Sequence, residues 1–102
     1  MTTNITVFTA GPMCIACTLV KNLLARSRIV FNERNMKTDP TAAELLLVLG
    51  YHDVPVVMRH EQLIWAYQEM VSYDDTEAPP DVRAAAVENS LAAALRTAHM
   101  LL

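Results

Sequence analysis

Cys14 and Cys17 are the only cysteines of the 102-residue chain, and Ile15 and Ala16 separate them. On a helix two such thiols lie about one turn apart, near enough for one to attack a mixed disulfide formed by the other. A thiol becomes a nucleophile only on losing its proton, and the unpaired amides and partial positive charge at a helix start favour the thiolate. Cys14 is therefore read as the attacking thiol and Cys17 as the resolving one. Such a cycle ends in an internal disulfide that an outside reductant must open. The same spacing also occurs in half of a zinc site or in a pair of structural thiols. Zinc needs four ligands, however, and His52, His60 and His99 are not paired at a spacing typical of a metal knuckle. Neither a metal nor a cofactor is expected. His52, in the loop before Pro55, reads as a solvated surface residue without a catalytic role.

The elements around the pair have to place it at a helix mouth. Ile5, Val7 and Thr9 alternate with Thr6 and Phe8 as in a strand, which Gly11-Pro12 then interrupts. Leu19, Val20, Leu23 and Leu24 recur at helical spacing, so a first helix is expected over residues 14–26. Residues 29–36 read as a second strand that opens on Ile29-Val30-Phe31. Asp39 as N-cap, Pro40 at the first helical position and Gly50 as a left-handed stop delimit a helix over residues 40–49. Val54-Pro55-Val56-Val57-Met58 reads as a buried strand, followed by a turn at His60-Glu61-Gln62 and an edge strand Leu63-Ile64-Trp65. A helix between the first two strands and a short turn between the last two require a sheet that mixes parallel and antiparallel pairs. Residues 67–73 suit a short helix, and Asp74-Asp75-Thr76-Glu77 with Pro79-Pro80 forms a polar break. Residues 81–102 form the longest expected helix, striped by Val87, Leu91, Leu95, Ala98 and Leu102.

A composition that is 53% hydrophobic suits one compact domain over residues 1–102. The net charge of −3 and the lack of a basic cluster speak against a nucleic-acid groove or an anionic membrane surface. Met1-Thr2-Thr3-Asn4 lacks the pattern of a signal peptide, and no apolar run approaches a membrane span. A cytoplasmic monomer is expected, with small molecules or proteins as partners.

Thr6-Val7-Phe8-Thr9 ahead of Cys14-Ile15-Ala16-Cys17 resembles the opening of glutaredoxins. Gly50-Tyr51-His52-Asp53-Val54-Pro55-Val56-Val57 resembles the segment that carries a cis-proline facing the active-site cysteines in NrdH-type redoxins and other glutaredoxin-like proteins. Trp65 stands where NrdH-redoxins often carry a tryptophan. The resemblance covers residues 4–67 and implies an α/β thioredoxin fold, a four-stranded mixed sheet flanked by helices, here with an extended C-terminal helix. It implies a thiol–disulfide oxidoreductase in which Cys14 and Cys17 carry the exchange. Val54 and Pro55 then bind substrate, Val54 through its backbone, with Met13 and Trp65 beside them.

The resemblance also frames the partners. Glutaredoxins that use glutathione typically carry a lysine three residues before the first cysteine and a Gly-Gly-Asp turn opening the last helix. Gly11 and Trp65-Ala66-Tyr67-Gln68 occupy those places here. NrdH-redoxins share that deficiency, and the likeness to them implies a protein disulfide as substrate, ribonucleotide reductase among the candidates, and a thioredoxin-reductase-like electron donor. Ala66-Tyr67 departs from the small residue and glycine that normally follow the NrdH tryptophan. The alternatives are a glutaredoxin dependent on glutathione or another low-molecular-weight thiol, and an Spx-like redox-sensing binding module. The short spacing between the cysteines and Val54-Pro55 argues against the Spx-like form.

Overall fold

The computed structural model describes residues 4–70 and 79–101. Alternating side chains in Ile5–Thr9 make β1, one of the two inner strands of a sheet ordered β2-β1-β3-β4. The other strands are β2 (Asn32–Asn35), β3 (Val56–Arg59) and β4 (Gln62–Ala66). β1 pairs parallel with β2 and antiparallel with β3, and β3 pairs antiparallel with β4. Four helices complete the order: α1 (Ile15–Arg26), α2 (Pro40–Leu49), α3 (Tyr67–Met70) and α4 (Pro80–Thr97).

The period of two along the strands divides the apolar residues between the sheet faces. Ile5, Val7, Val57 and Trp65 point to one face, where Val20 and Leu24 of α1 and Val87, Leu91 and Leu95 of α4 close the larger core. Phe8, Val56, Met58 and Ala66 point to the other face and pack on Ala42 and Leu46 of α2. The order of layers is thus two helices, sheet, one helix. Val87, Leu91 and Leu95 of the α4 stripe are therefore core, and no helix among the described residues is long and apolar enough to cross a membrane.

Local chemistry sets the helix ends. The Asp39 carboxylate accepts the amides of Thr41 and Ala42 at the mouth of α2, and Gly50 ends that helix at φ 86°. Arg34 donates to Asp39 at 3.0 Å and holds its carboxyl well below the usual range, aided by the Thr41 hydroxyl. α1 and α4 close without glycine. Arg28 and His99 adopt φ 60°, and the Ile29 and Met100 amides return to the carbonyls of Leu24 and Leu95.

Two boundaries differ from expectation for this reason. The second strand begins at Asn32 rather than Ile29, because the Ile29 amide is committed to closing α1 and its side chain to the larger core. The last helix ends at Thr97 rather than at the chain end, because the left-handed His99 turns the backbone and folds Met100 against the core. β3 starts at Val56, after Val54 and Pro55, and an extra residue on β4 between Trp65 and Leu63 shifts the register there. The expected helix over 67–73 is present over Tyr67–Met70, and its residues 71–73, like the expected break at Asp74-Asp75-Thr76-Glu77, lie outside the described residues.

Two outcomes test this packing. Leu91 is fully buried between α4 and the sheet, so Leu91→Ala should cost about 2–5 kcal/mol in a denaturant titration; a loss well under about 1 kcal/mol would contradict the core role of α4. Asp39 binds its proton more weakly folded than unfolded, so its stabilisation is present above the ordinary carboxylate pKa of about 4 and fades as pH falls through the folded value. The melting-temperature deficit of Asp39→Ala at neutral pH should accordingly shrink on acidification.

Candidate active site

The chain leaves β1 through Ala10 and Gly11 and enters α1 through a tight turn in which the Cys14 amide donates to the Gly11 carbonyl at 3.2 Å. Gly11 is buried at φ 94°, a conformation that side chains disfavour. The residue type found where glutathione users typically carry lysine is thus required by the backbone here.

Cys14 is the N-cap of α1. Its backbone is extended, its carbonyl accepts the Thr18 amide at 3.1 Å, and its sulfur accepts the Cys17 amide at 3.2 Å. The two cysteines form a disulfide with Cα atoms 5.2 Å apart. Their surroundings are unequal. Cys14 is half-buried, whereas Cys17 is 0% exposed against the core face of α1. A thiolate at position 14 meets helix amides and is partly open to solvent, whereas a thiol at position 17 is closed off from it.

Beneath this turn, the fully buried Thr9 hydroxyl donates to Glu33 on β2 at 2.8 Å, and Lys21 of α1 reaches the other Glu33 oxygen at 3.1 Å. The Thr9 hydroxyl, and then Lys21, lower the Glu33 carboxyl below its usual value. This bridge ties the end of β1, the adjacent strand and the second turn of α1 together.

The antiparallel register sets Val56 opposite Phe8, so Val54 and Pro55 arrive at the end of the sheet from which β1 leaves for the cysteine turn. The Val54–Pro55 peptide bond is cis. Pro55 is buried, Val54 is half-buried, and the Val54 amide and carbonyl have no backbone partner among the described residues. Gln68 of α3 fastens the loop ahead of them. Its side-chain oxygen accepts the His52 and Asp53 amides at 2.7 and 3.2 Å, and its amide nitrogen donates to the Gly50 carbonyl at 3.3 Å. Tyr51 adds a hydrogen bond to Glu69 at 2.9 Å.

The cysteines thus stand at a helix mouth with a cis-proline at the same end of the sheet. The glutaredoxin family model matches residues 5–64. The chain belongs to the glutaredoxin family. A solved structure, actin interacting protein 5 (Aip5, wild type), superposes with a TM-score of 0.54 at 22% identity, over 76% of this chain and 86% of that one. That likeness shows the fold, which is the thioredoxin fold with a C-terminal helix. No curated protein matches in sequence. Membership in the glutaredoxin family together with the Cys14–Cys17 pair makes the chain a thiol–disulfide oxidoreductase.

The expected site residues separate into two groups. Cys14, Cys17, Val54 and Pro55 gather at one end of the sheet, and Met13, 87% exposed, stands directly before Cys14. Trp65 is turned into the larger core at 6% exposure, and its indole N–H donates to Ser90 of α4 at 2.7 Å. The ring of Tyr67 packs edge-on against Trp65 with centroids 6.4 Å apart, and it is Tyr67 that reaches the surface beside α1. Ile15, 78% exposed between the cysteines, was signalled only by its place in the motif. Gln68 gave no signal in sequence, since its partners lie 15 to 18 residues away.

Replacing Gln68 by Ala should free the loop ahead of Val54 while leaving the core intact. The expected result is exchange of the His52 and Asp53 amide hydrogens about tenfold faster by NMR, with protection of the α4 amides unchanged. Unaltered exchange at His52 and Asp53 would show that the loop is held by other contacts.

Proposed function

We propose that this glutaredoxin reduces disulfides of protein substrates and is itself reduced by a thioredoxin-reductase-like donor rather than by glutathione. In the first half-reaction the Cys14 thiolate attacks one sulfur of the substrate disulfide, whose bond breaks as the second substrate sulfur leaves and takes up a proton. In the second half-reaction Cys17 gives up its proton and attacks the Cys14 sulfur, releasing the other substrate thiolate, which is protonated. Two electrons and two protons pass to the substrate, and the Cys14–Cys17 disulfide remains.

One observation supports a protein substrate above all. Half-buried Cys14 shares one end of the sheet with Val54, whose backbone groups have no backbone partner among the described residues, and stands between two large apolar side chains left in solvent, Met13 and Ile15. Backbone groups suit an extended segment paired in strand fashion, and exposed apolar side chains suit a macromolecular contact. Against glutathione stands the absence of its usual carboxylate partners, with Gly11 in the lysine position and Trp65-Ala66-Tyr67-Gln68 in place of a glycine turn. The likeness to NrdH-redoxins makes ribonucleotide reductase the first protein to try as substrate. Trp65, being core, would support this surface through Tyr67 rather than touch the substrate.

Turnover with insulin as disulfide substrate tests both parts. Thioredoxin reductase with its nicotinamide reductant should sustain reduction, while glutathione with glutathione reductase should be slower; comparable or faster turnover with glutathione would overturn the donor assignment. A Cys17→Ser variant should accumulate a mixed disulfide between Cys14 and substrate, detected by mass spectrometry, because attack remains while resolution is lost.

A further inference from the structure

Beside the redox pair, α1 and α4 do not close completely. A groove of about 220 Å³ runs between Ile15, Ala16 and Leu19 on α1 and Arg83 and Val87 on α4, with Tyr67 at its wall. Ile15 and Ala16 are the two residues between the cysteines, so the groove continues the surface on which any substrate of Cys14 must lie. Its walls are apolar except for Arg83 and the Tyr67 hydroxyl, which stand 3.5 Å apart. Among the described residues Arg83 forms no ion pair, so its charge is left to the groove it lines. The groove is also smaller than the roughly 300–1,000 Å³ of sites that enclose a whole small molecule.

These observations define a specificity site, and its meaning rests on the dithiol–disulfide reading above. We infer that the groove takes one large apolar side chain placed beside the reacting cysteine of an extended protein segment, with an acidic group of the same segment meeting Arg83. Size restricts the occupant to a single side chain. The apolar walls select an aliphatic or aromatic one, and the guanidinium, which bonds the Tyr67 hydroxyl but no carboxylate among the described residues, selects a neighbouring carboxylate. Glutathione has no apolar side chain to fill such a groove. Arg83 acts on the choice of substrate and takes no part in the sulfur chemistry.

The test uses the full chain, reduced beforehand, and synthetic peptides whose single cysteine is a mixed disulfide with thionitrobenzoate. Cys14 attacks the peptide sulfur and expels thionitrobenzoate; Cys17 then attacks Cys14 and releases the peptide thiol. Thionitrobenzoate leaves as its thiolate, the proton given up by Cys17 ends on the peptide thiol, and the protein ends as its disulfide. Peptides with Phe or Leu beside the cysteine should react about tenfold faster than those with Ala. An added Asp or Glu should raise the rate about threefold over Lys. Arg83→Ala should bring the acid-to-lysine ratio near one, and Arg83→Glu should invert it. Equal rates across the peptides, or a ratio indifferent to Arg83, would overturn the inference while leaving the oxidoreductase reading intact. Failure of every peptide to react would overturn both. A combined Asp74→Asn, Asp75→Asn, Glu77→Gln variant serves as a further arm. If it sharply raised the preference for acidic peptides, the acidic stretch of the chain itself would be the occupant, and the inference would fall.

Discussion

The sulfur of Cys14 caps the helix whose amides activate it, and the rest of the structure depends on that one interaction. An N-cap residue lies outside the helical backbone while its side chain accepts an amide from inside. Cys14 satisfies this with an extended backbone and a 3.2 Å contact from the Cys17 amide to its sulfur. The position leaves Cys14 half-buried and sends Cys17, three residues on, to the inner face of the helix. Attack and resolution are separated by one turn of ordinary α-helix. Gly11 makes the cap reachable, because its positive φ lets the chain turn from the buried strand to the helix mouth.

Holding that cap in place is the task of the sheet and of both faces packed on it. Val20 and Leu24 seat α1 in the larger core with α4, and Thr9, Glu33 and Lys21 bridge the strand end to the second turn of α1. The register between β1 and β3 delivers Val54 and Pro55 to the same end, and Gln68 fixes the loop that carries them. β4 passes directly into α3, so the strand pairing that places Trp65 in the core also places Tyr67 against it at the border of the site. Substrate surface and core are successive layers of one packing arrangement.

Much of this was legible in sequence where a local rule governs. Asp39-Pro40 and Gly50 marked both ends of α2, and the alternation of Ile5–Thr9 marked β1, because capping and side-chain period act within a few residues. The cysteine spacing disclosed the chemistry for the same reason. What escaped depends on partners far away in the chain. Ile29 reads as a strand residue by type, but its amide closes α1. His99 and Arg28 are not residues from which a left-handed stop is expected, so the end of α4 and the start of β2 were misplaced. The family likeness that set Trp65 beside the substrate carries no sign of its partner Ser90, 25 residues on, to which the buried indole donates. Neither the Gln68 clamp nor the groove at Arg83 has any local pattern, since both arise only when separate elements meet.

The account stands on Cys14 being activated by its place at the helix mouth and Cys17 being withheld. Competitive alkylation of the reduced protein at about pH 6, well below the ordinary thiol pKa of about 8.5, measures both at once when the folded chain is compared with the chain unfolded in denaturant. The account predicts that folding accelerates labelling of Cys14 and suppresses labelling of Cys17, with the two sites resolved by mass spectrometry. Preferential labelling of Cys17 in the folded protein, or a Cys14 no faster than in the unfolded chain, would contradict it.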